Sequence, residues 1–261
     1  MARIITLTTD FGLRDPYQGA MKGAILSINP EAGLIDITHL IAPGNILEGA
    51  FVLFESCGFF PRGTIHLGVV DPGVGGERRP ILLETEDCIF VGPDNGLFSI
   101  AAKGKVRRVI HLTKKEYFRS EVSSTFHGRD IFGPVAAHLS LGADPGVLGE
   151  ETGSFNEVEL PATEKRGGAI YGAVIYIDSF GNLITNISKV DALGLGGVLE
   201  AEINGFSISG LKRTYCDVKK GAPVMLIGSS DFLEIAVSSG RASTELKAKV
   251  GDKVLLRPLK R

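Results

Sequence analysis

Cysteine is scarce in this sequence, basic runs and long apolar stretches are missing, and each shortage removes a class of protein. The 261 residues hold three cysteines, Cys57, Cys88 and Cys216. They are odd in number, far apart and outside any CxxC spacing, which excludes a disulfide framework or a thiol-redox motif. Reduced, buried thiols in a cytoplasmic protein are expected instead. The five histidines form no HExxH or His/Cys cluster, so neither a structural zinc nor any other metal or cofactor is implied. No Lys/Arg run exceeds a pair, and the net charge is −2 with a pI near 6.2. That argues against nucleic acid or a membrane surface as a partner held by bulk charge. No apolar run approaches the ~20 residues that span a bilayer. The N-terminal apolar stretch reaches Asp10 too soon for a signal peptide.

What is present is an ordinary globular balance, 44% apolar and 22% charged, in a length that suits one large domain or two ordinary ones. Glycine is plentiful: its 34 residues are nearly double the usual share of roughly 7%. It falls at turns such as PGVGG and PDNG, which marks turn chemistry rather than disorder.

Residues 1–160 alternate strand and helix patterns. IITLTTD reads as a buried strand ending at Asp10, and Asp15-Pro16 opens a helix through YQGAMKGAILSIN. LIDIT (34–38) and TIHLGVVD (64–71) read as strands, EGAFVLFESCGFF (48–60) as a helix, and 81–96 as a hairpin. FSIAAKG (98–104) reads as helical, VRRVIHL (106–112) as extended and DIFGPVAAHLSLG (130–142) as helical. This order predicts a three-layer α/β domain with a largely parallel sheet. PATEKRGG (161–168) is polar and ends in Gly-Gly, which suits a linker. Residues 169–261 are short alternating runs split by turn signals with no convincing long helix, the pattern of an all-β barrel or sandwich.

Two segments concentrate chemistry. VVDPGVGGERR (69–79) breaks from an apolar strand into a Pro/Gly turn carrying Asp71, Arg78 and Arg79; STFHGRD, ending at Asp130, places His127 at a helix start. A carboxylate, a guanidinium and an imidazole brought together can orient a water and stabilise its hydroxide form. The plainer alternatives are a loop turn for Asp-Pro-Gly and a satisfied structural histidine for His127. A helix N-terminus pushes an imidazole toward its neutral form, which suits a proton acceptor. Asp10, at a strand's carboxyl end, can accept both hydroxyls of a ribose or simply cap a turn. IDSFGN (177–182) presents Asp178, Phe180 and Asn182, an aromatic and an amide able to stack on a base and bond its edge, or else a plain hairpin. In IGSSDFLEIAV (227–237), Ser229, Ser230 and Glu234 are ligand contacts or ordinary strand-end polar residues. DFG and HGRD are kinase-like strings, but they stand in reversed order with no Gly-rich loop and no VAIK lysine.

Read together, TTDFG, DPYQGAMKGAILSINP, DITH, VVDPGVGGERRP, GPDNG, STFHGRDIFGPVAAHL, IDSFGNLITNI and IGSSDFLEIAV resemble the S-adenosylmethionine (SAM) hydroxide adenosyltransferases. These SAM hydrolases are relatives of fluorinase and chlorinase. The resemblance covers nearly the whole chain. It implies an N-terminal α/β domain, a C-terminal β-barrel and a homotrimer, with SAM between the N-domain of one subunit and the C-domain of its neighbour. It implies Asp71, Arg78 and His127 as the catalytic triad and Asp10 as the ribose anchor. Adenine and methionine contacts fall on Asp178, Phe180, Asn182, Ser229, Glu234 and Val237. The implied reaction is water attack on the ribose C5′ of SAM, giving adenosine and L-methionine.

The position of Gly128 is a halide-binding Ser in fluorinase but Gly in chlorinase, so Asp71 and His127, Tyr in the halogenases, do the discriminating. Gly76 departs from the Thr common in relatives. Three other functions compete: a chlorinase-like halogenase, a non-catalytic adenosyl-ligand binding protein, and a metal-dependent phosphohydrolase using Asp10 and Asp71.

Overall fold

The apolar, β-branched run IITLTT makes strand β1 (Ile4–Thr9), whose side chains are buried on both faces. Such a strand must lie inside a sheet covered on both sides. The computed structural model describes residues 4–259, and the chain divides between Glu159 and Leu160 into two units. The first continues with α1 (Tyr17–Leu26), β2 (Gly33–Thr38), α2 (Ile46–Cys57), β3 (Thr64–Val69), β4 (Pro80–Thr85) and β5 (Cys88–Pro93). Then come α3 (Ser99–Ala102), β6 (Val106–Leu112), α4 (Gly133–Ser140) and β7 (Gly149–Thr152).

Its seven-stranded sheet has the order β2-β1-β3-β5-β4-β6-β7. The pairs β2–β1, β1–β3 and β3–β5 are parallel, and the remaining pairs antiparallel. One face packs Ile5, Leu7, Leu67 and Val91 against Met21 and Ile25 of α1 and Val135 and Leu139 of α4. The other packs Ile81, Leu83 and Phe90 against Leu53 of α2 and Ala101 of α3. This is the three-layer arrangement. Helix α2 starts sharply because Asn45 accepts from the Glu48 backbone N–H while its own amide donates back to the Glu48 carboxylate.

In the second unit the strands are β8 (Glu164–Arg166), β9 (Ala169–Ile177), β10 (Leu183–Ser188), β11 (Leu199–Ile203) and β12 (Phe206–Ser209). They continue with β13 (Leu211–Lys212), β14 (Pro223–Ile227), β15 (Phe232–Val237) and β16 (Lys253–Pro258), beside short helices α5 (Lys189–Gly194) and α6 (Ala242–Glu245). The sheet runs β12-β11-β16-β9-β10-β15-β14-β13 with β8 against β9. Its far strands curl back so that β12 packs near β14, a nearly closed barrel. Alternate residues such as Ile170, Leu183, Leu233, Ile235 and Leu256 fill the interior.

Part of the expected linker 161–168 is structured: residues 164–166 pair with β9. Gly167 and Gly168, both at positive φ (58° and 73°), supply the tight hairpin turn. Glu-Lys-Arg has little strand propensity, but charged residues are normal on an edge strand. Strand β7, antiparallel to β6, also lies outside the expected elements.

Candidate active site

Strands β1 and β3 are parallel neighbours in register, Thr9 opposite Val69. The residues that follow them, Asp10 and Asp71, therefore emerge at the same carboxyl edge of the sheet although far apart in sequence. That edge is where ligands bind in open α/β sheets. Asp10 is held by the Gly44 backbone N–H, which donates to its Oδ2 at 2.9 Å.

After Asp71 the chain folds into two tight turns, Val74 N to Asp71 O at 3.2 Å and Gly76 N to Gly73 O at 3.0 Å. These swing Arg78 back onto Asp71. Arg78 Nε donates to Asp71 Oδ1 at 3.0 Å and its Nη2 to Oδ2 at 2.5 Å. The same Nη2 is 2.7 Å from His127 Nδ1. Both side chains of the Asp71–Arg78 pair are nearly buried, and the guanidinium lies over the Phe132 ring, 5.2 Å from its centroid. The three expected catalytic residues thus form one bonded unit.

The two loops meet at Gly75. It adopts φ 77°, and a Cβ built there would fall 2.1 Å from the Ser124 carbonyl oxygen. Only glycine permits this approach. His127 sits at the mouth of a π turn, Gly128–Phe132, that runs into α4; such turns recur at functional sites. The buried Asp130 carboxylate ties this loop down. It accepts from Ser123 N at 2.9 Å and from Arg129 Nε at 2.6 Å, with Arg119 Nε 3.3 Å away. Burial pushes its pKa up, but the Arg129 and Ser123 bonds together with the charges of Arg129 and Arg119 hold it below the usual carboxylate value.

Arginine can only donate, so His127 Nδ1 must be the acceptor and its proton sits on Nε2. The pKa agrees: burial and then the Arg78 charge push it below 6.5, against the opposing pull of Asp71 and Asp130. Asp71 and His127 both line a cleft of about 60 Å³ with Asp10, Phe11, Phe126 and Gly128, while Arg78 lies behind them. Phe11, Tyr17 and Phe126 pack edge to face beside it. Gly128 is buried, and a Cβ there would come within 3.1 Å of the Phe11 ring.

In the second unit, the β9–β10 turn is an Asx-type cradle. Asp178 Oδ1 accepts from the backbone N–H of Phe180 (2.9 Å) and Asn182 (2.8 Å), and Oδ2 accepts from the Asn182 amide at 2.9 Å. The turn holds Phe180 72% exposed, an unusual position for a phenyl ring. Ser229 is exposed in the β14–β15 turn. Glu234 and Val237 do not share a face. Val237 packs in the barrel interior with Leu233 and Ile235, while Glu234 lies on the opposite face and accepts from Tyr215 Oη at 2.7 Å. Strand periodicity dictates this separation.

Two family models match the chain: the SAM hydroxide adenosyltransferase N-terminal domain over residues 5–149 and its C-terminal domain over 172–255. The chain belongs to the SAM hydroxide adenosyltransferase family. It is 36% identical to the (R)-S-adenosyl-L-methionine hydrolase of Salinispora tropica, over 96% of each chain. It is 26% identical to the fluorinase of an Actinoplanes species, over 95% of each. A solved structure of an uncharacterised conserved protein from Thermotoga maritima superposes with a TM-score of 0.92 at 36% identity, covering 97% of this chain and 99% of that one.

Three residues that shape the site stand outside the candidates that the sequence pattern offers. Asp130 reads in the sequence only as a helix marker, although Arg119 and Arg129 flank it and its carboxylate is buried between them. Gly75 was one glycine among several in its turn. Tyr215 stands in a polar segment with no periodicity, so nothing local tied it to Glu234. Its pKa is raised, first by burial and then by the Glu234 carboxylate.

Proposed function

We propose that this chain hydrolyses SAM to adenosine and L-methionine, with Asp71, Arg78 and His127 directing a water onto the ribose C5′. The observation that carries the proposal is the bonded unit in which one guanidinium holds both a carboxylate and a neutral imidazole against a cleft large enough for a few waters. Halogenating relatives need an anion in that position. A carboxylate facing the cleft repels halide and accepts a hydrogen bond from water.

In this mechanism Asp71 accepts one hydrogen of the water and His127 Nε2–H contacts its oxygen. The oxygen attacks C5′ as the C5′–S bond breaks, and methionine leaves as a neutral thioether. As the new C–O bond forms, the attacking oxygen becomes strongly acidic, so the Asp71 carboxylate suffices to take its proton. Arg78 remains charged throughout and holds the Asp71 carboxylate and the His127 imidazole in place for the water. Its pairing with Asp71 limits repulsion of the sulfonium. The phosphohydrolase alternative is disfavoured, because the Arg78 guanidinium bonded to Asp71 repels a metal cation at that carboxylate.

Asp10 is the proposed ribose anchor. Asp178, Phe180, Asn182, Ser229 and Glu234 contact adenine or methionine, and Val237 contributes only through its main chain. We extend the proposal to a cytoplasmic homotrimer in which a neighbouring subunit completes the site. The cleft volume of about 60 Å³ supports this, since small-molecule sites occupy about 300–1,000 Å³. The test is incubation with SAM in chloride buffer. Adenosine plus methionine is expected; 5′-chloro-5′-deoxyadenosine would establish a halogenase, and unchanged SAM a binding protein.

A further inference from the structure

A second polar chain reaches the same cleft from behind, through the DITH segment that the proposed mechanism leaves unused. Lys22 on α1 donates to Asp36 Oδ2 at 2.6 Å. The other Asp36 oxygen lies 3.1 Å from His39 Nε2, at an angle short of a good hydrogen bond. His39 Nδ1 is 2.8 Å from Thr9 Oγ1, which accepts the Phe11 backbone N–H at 3.2 Å. The donor order that satisfies this chain runs from Phe11 N–H to Thr9, from the Thr9 hydroxyl to His39, and from His39 Nε2–H toward Asp36. Thr9 and His39 are buried, at 0% and 2% exposure, so they work from beneath the cleft. Two backbone bonds run beside them, Gly12 N to His39 O at 2.7 Å and Ile41 N to Thr9 O at 3.4 Å.

Asp10 stands between the two residues that this hydroxyl joins. Thr9 ends the rigid strand β1, and Phe11 begins the loop. Bonding the Phe11 N–H to the Thr9 side chain fixes the main chain on both sides of Asp10. The Gly44 N–H then fixes one carboxylate oxygen and leaves the other for a ligand. Polar ligand contacts need placement within about 0.5 Å, which supporting hydrogen bonds provide.

We infer that the Asp36–His39–Thr9 chain is the positioning device of Asp10, setting its carboxylate to receive the vicinal hydroxyls of a ribose. The inference rests on Asp10 being the ribose anchor proposed above. Thr9 and His39 are positioning residues, and their removal weakens ligands in proportion to the hydroxyls those ligands carry. A general loosening of the fold would not discriminate in that way.

The experiment is calorimetric titration of adenosine and of 2′,3′-dideoxyadenosine into wild-type protein and into Thr9→Val and Thr9→Ser. Wild type is expected to prefer adenosine. Thr9→Val loses about tenfold in adenosine affinity, a change of about 1.4 kcal/mol, with dideoxyadenosine unchanged, and Thr9→Ser restores wild-type behaviour. Asp36→Asn, at the solvent end of the chain, gives a smaller loss of the same hydroxyl-dependent kind, and decides the matter if Thr9→Val does not fold. Equal losses for both ligands, or none, would overturn the positioning role while leaving the ribose anchor intact. A wild-type protein indifferent to the hydroxyls would overturn the anchor itself, and the inference with it.

Discussion

Arg78 is the residue on which the site turns, because its guanidinium bonds both Asp71 and His127 where they line the cleft. A lysine offers a point charge without the planar fork, so it cannot hold a carboxylate and an imidazole at fixed spacing. Arg78→Lys is therefore expected to lose nearly as much as Arg78→Ala. Arg78→Ala and Asp71→Asn should each lower kcat by about 10²–10³, with KM moving only a few-fold. Steady-state kinetics check this, and equal losses in kcat and in SAM affinity would assign these residues to binding. The acid limb of the kcat/KM profile follows from His127. Its neutral form accepts from Arg78, and its pKa is depressed by burial and by that same arginine. Activity is retained as the pH falls through 6.5, the ordinary histidine value, and is lost only lower. A limb above 6.5 would contradict this account.

At the scale of elements, function depends on where strands end and loops touch. The carboxyl ends of β1 and β3 deliver Asp10 and Asp71 to one edge, and the Gly75–Ser124 approach sets the register between the Arg78 loop and the His127 loop. A methyl at Gly75 forces those loops apart in a backbone conformation that alanine disfavours. Gly75→Ala is expected to lower kcat about 10²-fold through misplacement of the triad, while adenosine still binds, as calorimetry would report. Strand β3 also carries His66, fully buried and bonded through Nδ1 to Thr6 Oγ1. Burial lowers its pKa from 6.5 to about 4. An unfolded chain binds that proton more readily, so the stability His66 contributes is intact above pH 6.5 and drains away as pH falls toward 4. The full loss is on the order of 3 kcal/mol. Denaturant titrations at pH 7 and pH 4.5 should show a smaller difference for the apolar pair Thr6→Val/His66→Leu than for wild type.

The elements also show what a sequence can and cannot display. Strand β1 and helix α2 were legible because an apolar run ending at Asp10 and a long apolar-rich segment, EGAFVLFESCGFF, leave local marks, although the Asn45 cap that starts the helix at Ile46 went unread. Strand β8 was not, because its pairing comes from a Gly-Gly turn and a neighbouring strand rather than from its own charged residues. The opposite facing of Glu234 and Val237 follows from strand period once the register is known. The contact of Tyr215 with Glu234 does not, because a loop and a strand distant in sequence make it. Asp71, Arg78 and His127 could be named as candidates from their turn and helix-start contexts. That one arginine would join them depended on the three-dimensional path of two loops.

For the whole molecule, the family assignment spans both units, and the proposed assembly adds a neighbouring subunit to complete the site. Light scattering on the eluted protein should give a mass of about three times 27.7 kDa; a monomer that turns over SAM at full rate would remove the need for a neighbour. Among the described residues no helix is long and apolar enough to cross a membrane. The central claim concerns the nucleophile, and turnover of SAM in ¹⁸O-water with mass analysis of the adenosine tests it most directly. One ¹⁸O atom at the 5′-hydroxyl is predicted. Adenosine without the label would show that solvent water is not what attacks C5′, and would contradict the account.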